Sequence, residues 1–388
     1  MSEPSSAEAL LPRDDEVIPS RKDMYMVIKL LGKGGYGAVY EVRRRSDDQN
    51  YAMKVEAATV KKFVLSMDCK VMQATAAQRS RHFARPVDRG RIQDRFTFLV
   101  MKLLGPNLWD LRVERDDQRF TMNTALKAAE QTFIAIENLH RAGFLHRDIK
   151  PGNFAIGRVE ENEHHIIYML DFGLSRKFDG KDKDIRLPRD VAPFRGTTRY
   201  APLAAMRAKE QSRKDDIEGW LYMVLEWTSG GLPWAEFNSE RRDVVLRMKE
   251  EAREVESARE RLYRNCPRKH FEKILAYIDS LSYVDIPDYK FVHIILVSAY
   301  KAHRIGLTDG LDWDPSCPYT GPREVPGDGC PPPTSNRNEQ ARTTTHESVK
   351  KANEEPAEKS SMMRTPSMSA AIDKSAHNKR KESASRRF

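Results

Sequence analysis

Hydrophobic and polar positions alternate along much of the first hundred residues, a pattern typical of strands with one buried face. Such runs predict strands at 25–31, 39–42 and 51–54, and strands dominate from Tyr25 to about Lys102. One helical stretch, at about Lys61–Ala74, interrupts them. The pattern therefore predicts a β-rich unit that contains one main helix.

Further along the chain, the apolar positions recur at helical spacing instead. They predict a buried helix at 126–139 and further helices at 216–228, 271–281 and 291–304. A short apolar strand is predicted at 166–170. Together the two patterns predict an α+β fold, with a small β-rich N-terminal lobe followed by a larger helical C-terminal lobe.

The ends of the chain differ from its middle in composition. The folded domain is predicted to cover 22–314, with its lobes meeting near residue 104, and the polar, proline-containing residues 1–21 predict a flexible leader. Residues 315–388 are rich in Ser, Thr, Lys and Arg and nearly free of aromatics, which predicts a disordered tail. Two basic clusters near its end leave open a solvated tail or a nuclear-import signal, so the expected location is cytoplasmic, with the nucleus as an alternative.

Charge and composition limit the partners. The 388 residues include 66 Lys and Arg against 57 Asp and Glu, a net charge of +9, which suits acidic or phosphorylated partners or polyanionic polymers without choosing among them. We expect a monomer that acts on protein and not on nucleic acid. No apolar run reaches 18 residues, so no membrane span is predicted, and the start does not resemble a signal peptide. Four scattered cysteines lack metal-ligand spacing and predict free thiols.

The candidate chemistry is concentrated at 144–153 and 170–173. Asp148 can accept the proton of an attacking hydroxyl, and Lys150 can offset charge on a transferred phosphoryl group. Asn153 and Asp171 can hold magnesium. The order of these groups, joined by a short β-rich segment, indicates a phosphoryl-transfer site.

A glycine-rich segment lies upstream, where such a site needs it. Gly32, Gly34 and Gly37 lie between two predicted strands, so they form a hairpin, whereas a dinucleotide fold would continue into a helix. A hairpin of this kind lays backbone N–H groups over nucleotide phosphates, and a plain glycine-rich hairpin is the alternative. Lys54, on the next strand, would reach the α- and β-phosphates of ATP.

Longer motifs occur at 103–108, 195–201, 211–216 and 232–234, and two more occur at 153–157 and 169–173. The first four resemble the casein kinase I superfamily of protein kinases, and the last two resemble its tau-tubulin kinase branch more closely. The resemblance covers roughly 22–314 and implies ATP- and magnesium-dependent phosphorylation of protein serine or threonine. The segment Gly196–Tyr200 resembles a peptide platform, which disfavours a small-molecule phosphotransferase.

The resemblance also assigns residues by position. Met101 is expected to be the gatekeeper, and Lys102 to Leu104 the hinge whose backbone pairs with adenine. Asp216 is expected either to brace the catalytic loop or to cap a helix. The residues expected to line the nucleotide site are Leu31, Gly32, Gly34, Gly37, Val39, Ala52, Lys54, Met101, Lys102, Leu104 and Asn153.

One departure from the family pattern concerns the partner of Lys54. The family places a glutamate in the first helix of the small lobe, and here Asp68 occupies that position. Because its side chain is one methylene shorter, either the helix lies closer to Lys54 or the pair is loosened. A loosened pair would favour a catalytically weak or inactive nucleotide-binding scaffold.

The activation segment is the last informative region. No Ser, Thr or Tyr occurs between Lys177 and Gly196, so no phosphate can be added there. Arg147, Arg195 and Arg199 could form a pocket for acidic or phosphorylated substrate residues, as in casein kinase I relatives, or could make structural hydrogen bonds only. Thr197 is expected to be a structural partner of Asp148 and Lys150. The segment Ala201-Pro202-Leu203 lacks the glutamate of the usual Ala-Pro-Glu motif, as the family does.

Overall fold

The computed structural model describes residues 10–34, 37–60, 64–178 and 187–315. The predicted tail at 315–388 lies, apart from its first residue, outside the described residues, as do the first nine residues of the predicted leader.

The N-terminal lobe is a six-stranded antiparallel sheet with the strand order β1-β2-β3-β4-β6-β5. Its strands are β1 (Val17–Pro19), β2 (Met24–Gly34), β3 (Gly37–Arg44), β4 (Asn50–Ala57), β5 (Pro86–Ile92) and β6 (Phe96–Lys102). Alternation buries Ala38, Tyr40 and Val42 of β3 on one face of the sheet, as the sequence pattern predicted. Helix α1 (Leu65–Ala77) packs on the opposite face.

The sheet begins before residue 22, so the prediction of a flexible leader at 1–21 is wrong for Val17–Pro19. Val17–Pro19 pair with the start of β2, and Ile18 is buried in the sheet core. Three residues are too few for alternation to be recognisable in the sequence, and Pro19 is tolerated because β1 is an edge strand.

Helix α1 begins later than the sequence pattern suggested. The carboxylate of Glu56 accepts hydrogen bonds from the backbone N–H groups of Val64 (2.6 Å) and Leu65 (3.4 Å). These are among the amides that a helix start leaves without an internal partner. A distant side chain therefore sets the start of the helix.

The C-terminal lobe is mainly helical. Its helices are α2 (Leu108–Val113), α3 (Met122–Arg141), α4 (Leu203–Met206), α5 (Arg213–Ser229), α6 (Arg242–Glu254), α7 (Glu256–Leu262), α8 (Arg268–Ser280) and α9 (Tyr289–Ala302). Four short strands complete it: β7 (Phe144–Leu145), β8 (Phe154–Ile156), β9 (Ile167–Met169) and β10 (Arg176–Lys177). Helices α6 and α7 were missed in the sequence pattern because they carry many charged residues. The small β-rich lobe and the larger helical lobe confirm the predicted fold class.

Helices α3 and α5 form the centre of this lobe. Phe133 and Trp220 pack with 4.9 Å between ring centroids, and the indole N–H of Trp220 donates to Thr132 Oγ1 at 3.0 Å. Helix α5 begins with a capping box between Ser212 and Asp215 and ends at Gly230, whose φ of +85° is unfavourable for other residues. The buried pair of helices provides a rigid support for the loop that follows α3.

Candidate active site

The loop between β7 and β8 carries the predicted catalytic groups, and Asp216 of α5 fixes its backbone. Asp216 accepts hydrogen bonds from the backbone N–H groups of His146 (2.7 Å) and Arg147 (2.8 Å), and it lies 3.0 Å from His140 Nε2. Burial opposes ionisation of Asp216, but these bonds and His140 lower its pKa. Of the two roles expected for Asp216, the structure shows the brace, and its neighbour Asp215 is the cap.

The same bonds hold Arg147 in an uncommon backbone conformation. Its φ is 67°, in the left-handed region that a non-glycine residue enters at a cost of about 1–3 kcal/mol. Asp171 has a φ of 57° and is likewise left-handed. Both positions lie beside the predicted reacting groups, where surrounding structure can hold such a conformation.

The carboxylate of Asp148 is surrounded by the polar groups predicted to act with it. Lys150 Nζ lies 3.0 Å from Oδ2, and Thr197 Oγ1 donates to Oδ1 at 3.0 Å. Lys150 also donates to Thr197 at 3.2 Å, and Asn153 Nδ2 donates to the Asp148 backbone carbonyl at 2.7 Å. Thr197 is thus a structural partner of Asp148 and Lys150, as predicted.

Gly196 allows the activation segment to approach this loop. Its φ is +99°, and a Cβ atom there would lie 2.9 Å from the Arg147 carbonyl oxygen and 3.3 Å from Asp148 Oδ1. Any side chain at this position would force the segment away from Asp148.

The pairing of β8 with β9 brings the two predicted metal ligands together. Phe154 lies opposite Met169 in this hairpin, and the Leu170 N–H donates to the Asn153 carbonyl at 2.8 Å. Asn153 therefore lies beside the segment that presents Asp171.

Phe172 anchors this segment in the core. Its ring is fully buried, stacked against Phe83 and edge-on to His146, with centroid distances of 5.9 and 5.7 Å. Its backbone N–H donates to Asp68 Oδ1 at 2.9 Å. With Phe172 held under α1, the Asp171 side chain faces the cleft and is 54% exposed.

Lys54 pairs with both acids that face it. Its Nζ lies 2.9 Å from Asp68 Oδ2 and 2.8 Å from Asp171 Oδ1. Burial opposes the charge on Lys54, but the Asp171 and Asp68 carboxylates raise its pKa. Partial removal of Asp171 from water likewise opposes its ionisation, but the nearby Lys54 lowers the pKa of Asp171 to about 2. The shorter acid therefore reaches its partner, and the loosened pair is wrong.

The oxygen atoms near the cleft fit a hard divalent cation. Among the described residues, no hydrogen-bond partner occupies Asn153 Oδ1 or Asp171 Oδ2. Carboxylate and amide oxygens are ligands that magnesium accepts in proteins. Asn153 and Asp171 would hold the ion, which would neutralise charge on nucleotide phosphates.

The predicted nucleotide-lining residues lie on the strands around one cleft. Leu31, Gly32 and Gly34 are on β2, Gly37 and Val39 on β3, Ala52 and Lys54 on β4, Met101 and Lys102 at the end of β6, and Leu104 just beyond it. A Cβ atom on Gly32 or Gly34 would meet nothing within 4 Å, whereas one on Gly37 would lie 1.9 Å from the Val55 carbonyl oxygen. The first two glycines thus leave open space for phosphates, and the third allows close strand packing.

The predicted gatekeeper and hinge residues lie at the end of β6 and just beyond it. Met101 is buried and lies opposite Ala52 between β4 and β6. The side chain of Lys102 pairs with Glu161 and Glu163 at 2.5 and 2.7 Å. Because the Lys102 side chain forms these ion pairs, its backbone is the part that would pair with adenine.

Arg147 belongs to a group of cations around one buried acid that the sequence did not reveal. The Glu210 carboxylate pairs with Arg176 and with Arg189 (2.5 Å), and lies 4.0 Å from Arg147. Burial opposes ionisation of Glu210, but these arginines lower its pKa to about 2. Burial and the nearby Arg195 lower the pKa of Arg147 to about 10. Positive charge is therefore crowded here, and among the described residues Glu210 is the carboxylate that pairs with it.

The three arginines grouped by the sequence do not share one environment. Arg195 is half-buried beside Asp148 and has no hydrogen-bond or ion-pair partner in the part of the chain that the structure describes. Arg199 instead pairs with Glu226 (3.1 Å), donates to the Ala235 carbonyl (2.8 Å) and lies over the ring of Trp109. These contacts are the structural hydrogen bonds that were the alternative role expected for Arg199.

Comparisons with known proteins agree with this geometry. Residues 25–282 match the family model described as protein kinase domain. The serine/threonine-protein kinase spe-6 of Caenorhabditis elegans is 36% identical over 290 residues, which cover 74% of this chain and 75% of that protein. A probable serine/threonine-protein kinase of Dictyostelium discoideum is 31% identical over 76% of this chain and 57% of its own length. A probable casein kinase I homolog of Encephalitozoon cuniculi is 32% identical over 72% of this chain and 86% of its own length. Within the described ranges, no helix combines the length and apolar character needed to cross a membrane.

Proposed function

Since this chain belongs to the protein kinase family and is a serine/threonine protein kinase, we propose that it is a magnesium-dependent enzyme of the casein kinase I type. Its preferred substrates are acidic or phosphorylated proteins. The observation that carries this preference is Arg195, a half-buried cation beside Asp148 without a partner among the described residues.

The surroundings of Arg195 support an external anion as its partner. Arg147 and Arg176 lie in the same cationic group, and Glu210 is the carboxylate that balances them. A phosphate or carboxylate on the substrate would form charge-assisted hydrogen bonds with Arg195, which are about twice as strong as neutral ones. Because Arg195 lines the same small cavity as Asp148 and Thr197, such an anion would hold the acceptor hydroxyl near the catalytic aspartate.

The casein kinase I type rests on the motifs at 103–108, 195–201 and 211–216, and on the relative that carries this name. Assignment to the tau-tubulin kinase branch rests on the segments 153–157 and 169–173 alone. Magnesium is proposed because Asn153 and Asp171 offer oxygen ligands that would hold the ion, while nucleotide phosphates and water would supply further oxygens. All of these groups come from one chain, which supports a monomer as the active form.

The scaffold alternative loses its support in this arrangement. It rested on a loosened pair between Lys54 and Asp68, and that pair is formed. Asn153 also lies 3.3 Å from the Asp148 carboxylate and beside the segment that carries Asp171, which supports phosphoryl transfer over a scaffold role.

The substrate preference is testable with matched peptides. The full-length protein, with ATP and magnesium, is assayed on one serine peptide whose neighbouring position is phosphoserine, aspartate, alanine or lysine. We expect kcat/KM to be highest for phosphoserine, and Arg195→Ala to reduce the ratio of phosphoserine to alanine peptide by about tenfold or more, since a hydrogen bond to a charged group contributes about 1.5–3 kcal/mol. Arg247→Ala on the exposed face of α6 is the matched control.

Two results would decide against parts of the proposal. An unchanged peptide ratio in Arg195→Ala would remove Arg195 as the anion-binding residue. Nucleotide binding without transfer to any of the four peptides, or to casein, would favour the scaffold.

A further inference from the structure

Lys249 of α6 is fully buried, with 0% of its surface exposed, and takes no part in the chemistry described above. Its Nζ donates hydrogen bonds to the backbone carbonyls of Ala201 (2.6 Å) and Thr198 (3.1 Å). It also lies over the rings of Tyr222 and Trp234, 4.6 and 5.1 Å from their centroids. Both acceptors therefore belong to the segment that follows Thr197.

A lysine in this position is costly for the fold. Among the described residues, no carboxylate lies within ion-pair distance of the Lys249 ammonium group. Glu218 is paired instead with Arg253 at 2.9 Å. Burial lowers the pKa of Lys249 to about 7; the charge of Glu218 opposes this shift and that of Arg253 adds to it. An apolar residue at position 249 would avoid the free-energy cost of removing a charged group from water. What the lysine contributes instead is the two hydrogen bonds to the segment that follows Thr197.

Other groups from α5 and its neighbours hold the same segment. Trp234 Nε1 donates to the Arg199 carbonyl at 2.8 Å, and the Leu203 N–H donates to Glu218 at 3.2 Å. The Ala201-Pro202-Leu203 sequence has no glutamate to anchor the segment through an ion pair of its own. The anchor is supplied instead from outside the segment, and Lys249 makes two of its contacts.

We propose that Lys249 is a positioning residue for the peptide substrate: by fixing the carbonyls of Thr198 and Ala201, it sets the surface on which the peptide lies relative to Asp148. It does so through the segment 197–203 and does not touch the substrate or ATP. The segment is joined to Asp148 through Thr197, so a shift in its backbone changes where an acceptor hydroxyl meets the carboxylate. This inference rests on protein kinase activity and not on the preference for acidic substrates.

The test is a comparison of Michaelis constants in Lys249→Met, which keeps the length of the side chain but removes both donors. We expect KM for a neutral serine peptide to rise by about tenfold, because two buried carbonyls lose their donors and the segment shifts. KM for ATP and the slow hydrolysis of ATP by water should stay within twofold of wild type. The neutral peptide keeps the result independent of Arg195.

Two controls separate positioning from loss of stability. Leu275→Ala removes buried apolar surface from α8, away from the segment, and should lower the melting temperature without raising peptide KM. Lys249→Gln, a shorter side chain that still carries two N–H donors, should recover part of the peptide KM. Lys249→Leu, which also lacks a donor, takes the place of Lys249→Met in the same assays if that protein does not fold.

The proposal is overturned by either of two outcomes. One is a folded Lys249→Met protein with wild-type peptide KM. The other is a rise in peptide KM and ATP KM by the same factor, or a rise of similar size in Leu275→Ala, because then the lysine only supports overall stability.

Discussion

Lys54 of β4 and Asp68 of α1 form an ion pair with 2.9 Å between Nζ and Oδ2. Asp68 is almost completely buried, and its other carboxylate oxygen accepts the backbone N–H of Phe172 at 2.9 Å. One short acid thus connects the lysine, the helix and the segment that presents Asp171. The relation couples the position of α1 to the position of Asp171, because a movement of either partner of Asp68 breaks a buried polar contact.

Removing this acid should weaken catalysis. We expect Asp68→Ala to lower kcat/KM by about ten- to a hundredfold, since loss of a charged hydrogen-bond partner costs about 1.5–3 kcal/mol. Asp68→Glu should retain more activity than Asp68→Ala but less than wild type, because the buried site must accommodate an extra methylene. Steady-state kinetics with saturating peptide provide the measurement. Wild-type activity in Asp68→Ala would show that Asp171 alone positions Lys54.

Substitutions of Asp148 and Asp171 should both lower kcat but should differ in their effect on nucleotide binding. Asp148→Asn should reduce kcat by several orders of magnitude, since the group that accepts the hydroxyl proton is lost, while nucleotide binding stays close to wild type. Asp171→Ala should reduce kcat similarly and also abolish the strengthening of nucleotide binding by magnesium. Titration of a fluorescent ATP analogue with and without magnesium measures the difference. Near wild-type turnover in Asp171→Ala would exclude it as a metal ligand.

Activity should not depend on phosphorylation of the activation segment. Glu210 supplies a carboxylate to Arg176, Arg189 and Arg147, in the region where other kinases place a phosphate. Protein made in bacteria and treated with phosphatase should therefore be active as isolated. Glu210→Gln should lower its activity several-fold, because the three cations lose their internal counter-charge. A strict requirement for an upstream kinase would contradict this role of Glu210.

The pH dependence of this contact has a defined sign. Folding lowers the pKa of Glu210 from 4.5 to about 2. Its contribution to the free energy of unfolding should therefore be complete above about pH 5 and decrease as pH falls from about 4.5 towards 2. Denaturant unfolding of wild type and Glu210→Gln should show a constant difference between pH 6 and 8 and a smaller one near pH 3. A difference that changes between pH 6 and 8 would mean that another group titrates with this contact.

Asp216 should matter more for the catalytic loop than its neighbour in sequence. Asp216→Ala leaves the amides of His146 and Arg147 without their acceptor, so the free energy of unfolding should fall by about 3 kcal/mol and activity should be largely lost. Asp215→Ala removes a helix cap, which costs about 1 kcal/mol, and should leave activity much closer to wild type. Urea unfolding and peptide assays compare the two variants. Equal losses of activity would argue against a specific brace by Asp216.

The sequence by itself determined the local chemistry of this protein. The segments around Gly32, Asp148 and Asp171 are contiguous motifs, and the functional groups within each motif lie only a few residues apart. The order of the three motifs along the chain is therefore enough to identify the reaction. The position of Asp68 could also be predicted, because it depends on counting along one helix. Alternating and helical patterns likewise predicted the two lobes, since one-sided burial leaves a regular trace in the sequence.

The tertiary structure decided which distant groups meet. Arg147 and Arg199 looked equivalent as cations near one loop, but Glu226 pairs with Arg199 and Glu210 with the group around Arg147. Lys249 has no feature in the sequence that singles it out, and only packing places it beside the segment that follows Thr197. The sequence around a charged side chain does not indicate its ion-pair partner when that partner lies tens of residues away. The pairing energy exists only after folding of the core has brought the two groups together and excluded water.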